Sequence, residues 1–174
     1  MPNRAENNQT EVNRGPQTRW QTLPLEAVTL TGGFWAQRQQ LNRQVSLQHG
    51  YHMLEKAGNF QNFRIAAGRE QGHFQGREFM DSDVYKWLEA AAYELHINPN
   101  DELQAQVDKA IELIAAAQQS NGYLNTYYQL VRPTEMWTDL DFGHELYCAG
   151  HLFQAAVAHY RATNDTRLLE IATR

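Results

Sequence analysis

The chain has 174 residues, a formal net charge of −5, 42% hydrophobic residues and a single cysteine. This composition is typical of a globular protein and excludes an intrinsically disordered chain. The fifteen lysines and arginines are scattered rather than clustered, which argues against nucleic acid or an anionic membrane as a partner. No apolar run approaches the roughly 20 residues that span a bilayer. One cysteine also excludes an intrachain disulfide, so we expect a cytoplasmic protein.

The N-terminal segment separates from the rest of the chain by its composition. Residues 1–19 are polar and aperiodic, and we predict a disordered leader without the apolar stretch of a secretory signal peptide. In the next segment, Val28 and Leu30 alternate with polar neighbours before Gly32-Gly33. This pattern predicts a short strand followed by a turn.

The remaining chain predicts helices, because apolar residues recur at intervals of three and four. The predicted helices cover residues 34–57, 81–95, 99–118, 143–163 and 166–174, and two aromatic-rich stretches between them, 59–79 and 123–143, are predicted loops. Helices that alternate with short linkers and long loops favour an α-solenoid or an α/α toroid, and the lack of a strict repeat favours the toroid. The last helix has no C-terminal signal, so we expect that residue 174 is not the natural end of the protein.

The segment GHELYCAGHLFQAAVAHY places His144, Cys148 and His151 at helical positions i, i+4 and i+7. Such residues share one helix face, so one interpretation is a three-ligand zinc site with Glu145 as a general base. The other interpretation is structural. In that case Glu145 is favoured by the helix dipole, Cys148 is a buried small residue, and the helix is anchored by Leu146, Phe153, Val157 and Tyr160.

His144 has a further interpretation, since it follows Gly143 at the predicted helix N-terminus beside an aromatic loop. A neutral imidazole offers one donor and one acceptor nitrogen, which suits a sugar hydroxyl. In DSDVYKWLE, Asp81 and Asp83 are either a carboxylate pair or helix caps, and Trp87 is either a core residue or faces a cavity.

The segment NGYLNTYY mixes Asn125 and Thr126 with three tyrosines, Tyr123, Tyr127 and Tyr128. Aromatic faces stack on sugar rings and amides bind hydroxyls, so this segment either lines a pocket or is a loop packed by its own rings.

Several segments together resemble the N-terminal part of glycoside hydrolase family 127, the β-L-arabinofuranosidase group. They are DSDVYKWLEAAAYEL, IELIAAAQQSNGYLNTYY and HELYCAGHLFQAAVAHYRAT, and VTLTGGFWAQRQQLNRQ is similar to the family's entry segment. The resemblance covers about residues 24–174. It implies an all-α fold, namely part of an (α/α)6 barrel with the short N-terminal strand. Residues 20–174 would then be the N-terminal portion of a catalytic domain truncated at its C-terminus.

The resemblance also implies a reaction. Family enzymes are retaining exo-hydrolases that release terminal β-L-arabinofuranose, so an arabinofuranose-containing oligosaccharide is the expected partner. Their chemistry implies a cysteine nucleophile, a glutamate acid/base and zinc held by three cysteines and a glutamate. These groups would lie beyond residue 174, so this chain is expected to hold no catalytic residue and no metal, and to be inactive alone. We expect the full-length enzyme to bind zinc and to form a homodimer.

Within this chain the resemblance assigns substrate-binding residues. The first histidine of HELYCAGH matches a family residue that contacts the sugar, which makes His144 the principal candidate. Asp81, Trp87, Tyr123 and Asn125 are placed near the cleft because their motifs match. The alternative function is an independent α-helical binding or scaffold module without catalysis.

Overall fold

A computed structural model describes residues 23–24 and 27–174 of the chain. The predicted leader, residues 1–19, lies outside the described residues. The short N-terminal strand is a wrong prediction: the described residues contain no strand, and Val28 and Leu30 lie exposed in irregular backbone. A strand needs a neighbour that pairs with its peptide groups, and the described part of the chain offers this segment none.

Helices account for the regular structure. Helix α1 (Gly33–Leu41) continues through a π-helical segment (Asn42–Ser46) into α2 (Leu47–Ala57), and then follow α3 (Asn59–Ala66), α4 (Met80–Ile97), α5 (Asp101–Ala117), α6 (Thr126–Val131), α7 (Glu145–Thr163) and α8 (Arg167–Ala172). All five predicted helices are present, which confirms the all-α prediction. Within the described ranges, no helix combines the length and hydropathy needed to cross a membrane.

The two segments predicted as loops each contain a short helix, so that prediction is wrong in part. Gly58 adopts the left-handed conformation with φ of 88°, ends α2 as predicted, and starts the turn into α3. Asn125 caps α6, because its side chain accepts a hydrogen bond from the backbone N–H of Tyr128. Helices of eight and six residues are too short to show a clear apolar period in sequence.

The core lies between α4 and α7, which make the most extensive contact between elements of the described chain. Both helices contribute small and branched side chains to it: Val84, Leu88, Ala91, Leu95, Cys148, Leu152, Ala155 and Ala156. Helix α5 adds an apolar face to the same core, and α8 adds Leu168 and Ile171. Arg43 of the π segment forms an ion pair with Glu94 of α4, a carboxylate that is only 4% exposed.

The face of α7 that packs inward differs from the predicted one. The expected anchors Leu146, Phe153, Val157 and Tyr160 are exposed, and the opposite face is buried instead. Both faces carry apolar residues at helical spacing, so periodicity alone does not distinguish between them.

Candidate functional site

Gly143 positions the N-terminus of α7. A Cβ atom at this position would collide with the hydroxyl of Tyr128 and the backbone oxygen of Asp139, so only glycine passes through this gap. His144 follows as the N-cap residue in the left-handed conformation, with φ of 57°. Because His144 is not in the helical conformation, it does not continue the face that Cys148 occupies.

The ring of His144 has one nitrogen engaged by the backbone. Nδ1 lies at hydrogen-bonding distance from the carbonyl oxygen of Phe142, so we place the proton on Nδ1, which donates to that carbonyl. The carboxylate of Glu78 is 3.6 Å from the same nitrogen, which favours this tautomer. In the neutral ring Nε2 is then a hydrogen-bond acceptor. The ring centroid lies 5.2 Å from that of Phe79 and 5.7 Å from that of Tyr147.

Glu145 is buried directly behind this histidine and holds the preceding loop. One carboxylate oxygen accepts a hydrogen bond from the hydroxyl of Tyr123, and the other accepts one from the backbone N–H of Trp137 at 2.8 Å. Burial and the Glu145 carboxylate both raise the pKa of Tyr123, which keeps the phenol protonated as the donor. Trp137 is held in the left-handed conformation with φ of 63°. These contacts support the structural interpretation of Glu145.

Asp81 lies inside the first turn of α4 rather than at its cap, so the capping interpretation is wrong. The N-cap residue is Phe79, and no side chain caps the helix. Both oxygens of the buried Asp81 carboxylate accept hydrogen bonds from Thr126, one from its backbone N–H at 2.7 Å and one from its hydroxyl. Burial raises the pKa of Asp81 to about 6, although the two hydrogen bonds from Thr126 lower it. Asp81 therefore joins α4 to α6.

Tyr123 and Asn125 lie below the surface, and Trp87 lines an open cleft. Asn125 is 1% exposed, and its Nδ2 has no hydrogen-bond partner among the described residues. The indole of Trp87 donates to the backbone oxygen of Leu47 at 3.0 Å and borders a cleft of about 350 Å³ between α2 and α4. Of the five predicted substrate-binding residues, His144 combines a partly exposed side chain with a ring nitrogen that the backbone orients. The assignments of all five residues stay predictions.

The predicted zinc face does not come together as a metal site. The part of the chain that the structure describes contains no group of three or more His, Cys, Asp or Glu side chains placed to hold an ion. Cys148 is a free and buried cysteine, and burial raises the pKa of its thiol. The ring of His151 instead packs edge-on against Tyr147. The chain also has one cysteine, so its residues do not fit a centre built from three cysteines and a glutamate.

Sequence reasoning did not identify three neighbours of His144, which are Glu78, Phe79 and Tyr147. Glu78 and Phe79 come immediately before α4, and Tyr147 lies in the first turn of α7. Tyr147 follows His144 by three positions, but His144 lies outside the helix in the left-handed conformation, so helical spacing did not predict this contact. The others required knowledge of how α4 packs against α7.

Comparison with known proteins identifies the family. The family profile described as "Beta-L-arabinofuranosidase, GH127 catalytic domain" matches residues 27–174. The chain belongs to the GH127 family. This confirms the resemblance recognised from the sequence and assigns the chain to a family of glycoside hydrolases.

Solved GH127 structures show the same fold. The crystal structure of a GH127 β-L-arabinofuranosidase from Geobacillus stearothermophilus T6 superposes with a TM-score of 0.82 at 44% identity, covering 84% of this chain and 24% of that chain. A second structure, of a GH127 β-arabinofuranosidase, gives a TM-score of 0.80 at 34% identity, covering 86% of this chain and 25% of the other. The described helices therefore form part of an α/α barrel.

A curated relative is also named as a β-L-arabinofuranosidase. The non-reducing end β-L-arabinofuranosidase of Bifidobacterium longum subsp. longum is 36% identical over 170 residues, covering 83% of this chain and 26% of the relative. The chain thus spans about a quarter of the length of the GH127 proteins that it matches.

Proposed function

We propose that this chain forms part of the sugar-binding cleft of a retaining exo-β-L-arabinofuranosidase, as the N-terminal part of a longer catalytic domain. The family assignment and the printed activities of the relatives support the substrate class. The observation that carries the proposal is the acceptor nitrogen of His144, which the backbone of Phe142 orients and the rings of Phe79 and Tyr147 flank.

The chemistry of binding follows from this arrangement. A hydroxyl of the terminal arabinofuranose donates to Nε2 of His144, while the C–H bonds of the sugar ring contact the neighbouring aromatic rings. Glu145 takes no part in proton transfer in this proposal, because both of its oxygens hold Tyr123 and Trp137. Its role is to fix the loop before His144, so that the imidazole is preorganised for the sugar.

Catalytic groups are assigned to other parts of the full enzyme. We propose that the cysteine nucleophile, the glutamate acid/base and the zinc ligands lie outside residues 1–174, and that this chain alone does not turn over substrate. We also propose a cytoplasmic protein whose full-length form is a homodimer. The single free cysteine is consistent with a reducing compartment.

A chimaeric enzyme tests the proposal. Residues 27–174 would replace the corresponding quarter of the Geobacillus enzyme, and release of L-arabinose from a β-L-arabinofuranoside would be measured. We expect turnover, and we expect His144→Ala to lower kcat/KM by about tenfold or more, the value of one lost hydrogen bond in a desolvated site. The matched control is His49→Ala, which removes an exposed histidine of α2 and should leave kcat/KM within about twofold.

Two outcomes would contradict the proposal. An active chimaera in which His144→Ala keeps full kcat/KM would remove His144 from substrate binding. A folded chimaera that binds arabinofuranosides without hydrolysing them would favour the alternative, a binding module without catalysis.

A further inference from the structure

His159 of α7 is a titratable side chain that the core encloses completely. Its exposed fraction is 0%, and neither ring nitrogen makes a well-formed hydrogen bond within the described chain. A neutral imidazole can occupy such a position, but an imidazolium adds a second N–H donor and a charge that both require partners. Burial accordingly lowers the pKa of His159. The folded chain therefore opposes protonation of this ring.

Charged groups from the neighbouring elements surround the end of α7 where His159 lies. Asp165 in the turn after α7 and Asp108 of α5 favour a positive charge on the ring, and Arg167 of α8 disfavours it. From α4, Nδ1 of His96 lies 3.4 Å from a backbone carbonyl oxygen of α7. His159 is thus the buried member of a charged corner, residues 159–167, where α7 turns into α8.

The two carboxylates of this corner already bind Arg167. Its guanidinium lies 2.5 Å from an oxygen of Asp165 and 2.5 Å from an oxygen of Asp108, so Arg167 connects α8 to α5. Asp165 and Asp108 are 23% and 36% exposed, whereas the His159 ring has no exposure. A protonated ring must therefore leave the core to reach these carboxylates or water, and α8 must move away to let it pass.

Helix α8 is held by a small set of contacts. Its six residues bury Leu168 and Ile171, and the carbonyl oxygen of Ile171 accepts a hydrogen bond from the side-chain amide of Gln118 at 2.9 Å. The same amide donates to the carbonyl oxygen of Gly122, which directly precedes Tyr123. Segments with few buried contacts open at a lower free energy than the core. Helix α8 can therefore open locally, and Gln118 links its movement to the segment that contains Tyr123.

We propose that His159 makes the corner between α7 and α8 acid-sensitive, so that protonation of the buried ring in mild acid releases α8 from α5 while the α4–α7 core stays closed. The open form binds one more proton than the closed form. Below about pH 6.5, the pKa of an unburied histidine, each fall of one pH unit raises the open population by up to about tenfold, until the ring also protonates in the closed form. This device does not depend on a sugar-binding role for His144.

Hydrogen exchange of the 174-residue chain, measured by NMR at pH 5 and pH 7 and expressed as protection factors, tests the proposal. The backbone amides of Glu170 and Thr173, which donate to carbonyl oxygens one turn earlier at α8, should lose about tenfold or more of their protection at pH 5. The amides of α4 should not lose protection. His159→Phe supplies a ring that cannot be protonated, so α8 should be equally protected at both pH values.

A control and a second variant complete the design. His96→Gln removes the other histidine at this corner and should keep the pH effect on α8. Arg167→Gln removes the ion pair between α8 and α5, so α8 should exchange rapidly at both pH values; this test remains available if His159→Phe fails to fold.

Four outcomes would overturn the proposal. They are equal protection of α8 at pH 5 and pH 7 in the wild-type chain, a pH effect that persists in His159→Phe, a simultaneous loss of protection in α4 and α8, and wild-type protection of α8 in Arg167→Gln at pH 7.

Discussion

The buried carboxyl group of Asp81 connects α4 to the first residue of α6 through two hydrogen bonds from Thr126. Asp81→Asn keeps this connection while removing the charge. The amide oxygen can accept from the Thr126 N–H, and the amide nitrogen can donate to the Thr126 hydroxyl, which is able to rotate. The variant therefore isolates the cost of burying a charge.

The free-energy cost of burying this charge follows from the pKa of Asp81. Burial raises the pKa of Asp81 from 3.8 to about 6, so between these values the folded chain binds a proton that the unfolded chain has lost. Folding stability from this group is therefore fully present below about pH 4 and is lost as the pH rises through about 6. The difference corresponds to at most about 3 kcal/mol.

Urea unfolding followed by circular dichroism between pH 4.5 and 8 measures this effect. Burial also lowers the pKa of His159, which removes stability as the pH falls below about 6.5, but it does so equally in both proteins. We expect the wild-type chain to lose up to about 3 kcal/mol relative to Asp81→Asn as the pH rises from 4.5 to 8. Parallel pH profiles for the two proteins would refute this reasoning.

Three further predictions concern the packing behind His144. Tyr123→Phe leaves one oxygen of the buried Glu145 carboxylate without its donor and should lower the free energy of unfolding by about 2–3 kcal/mol. The control Tyr127→Phe should lower it by less than about 0.5 kcal/mol. Equal losses in the two variants would contradict a structural role for the Tyr123 hydroxyl. Gly143→Ala should destabilise the chain by at least about 2 kcal/mol, because the added methyl group collides with the backbone oxygen of Asp139 and the side chain of Tyr128. A thermal unfolding midpoint equal to that of the wild type would contradict this close packing around Gly143. Cys148 is 1% exposed, and burial raises the pKa of its thiol. Iodoacetamide should therefore modify it at least about tenfold more slowly in the native chain than in urea. Equal modification rates in the two conditions would place the thiol at the surface.

Local sequence signals were sufficient for the long helices. Helices α4, α5 and α7 each carry enough turns for their apolar period to emerge, and Gly58 marks the end of α2 as predicted. The strand at Val28 failed because alternation of two apolar residues is weak evidence without a pairing partner. Helices α3 and α6 were not predicted, because a helix of one or two turns is too short for its apolar residues to show a helical period.

The candidate site depends on contacts between distant parts of the chain, which no local pattern encodes. Asp81 resembled a helix cap because Asp is common there, but its partner Thr126 lies 45 residues away. The family motif identified His144, yet its left-handed backbone follows from the gap beside Gly143. The inward face of α7 was mistaken for the same reason, since only tertiary packing chooses between two apolar faces.

The most direct test of the sugar-binding role is an NMR spectrum of the histidine rings in the 174-residue chain, with and without methyl β-L-arabinofuranoside. The structure predicts that His144 carries its proton on Nδ1 in the free chain. It also predicts that the glycoside shifts the Nε2 resonance of His144 and leaves that of the exposed His49 unchanged. A His144 ring protonated on Nε2, or one whose signals do not move at saturating glycoside, would contradict the account.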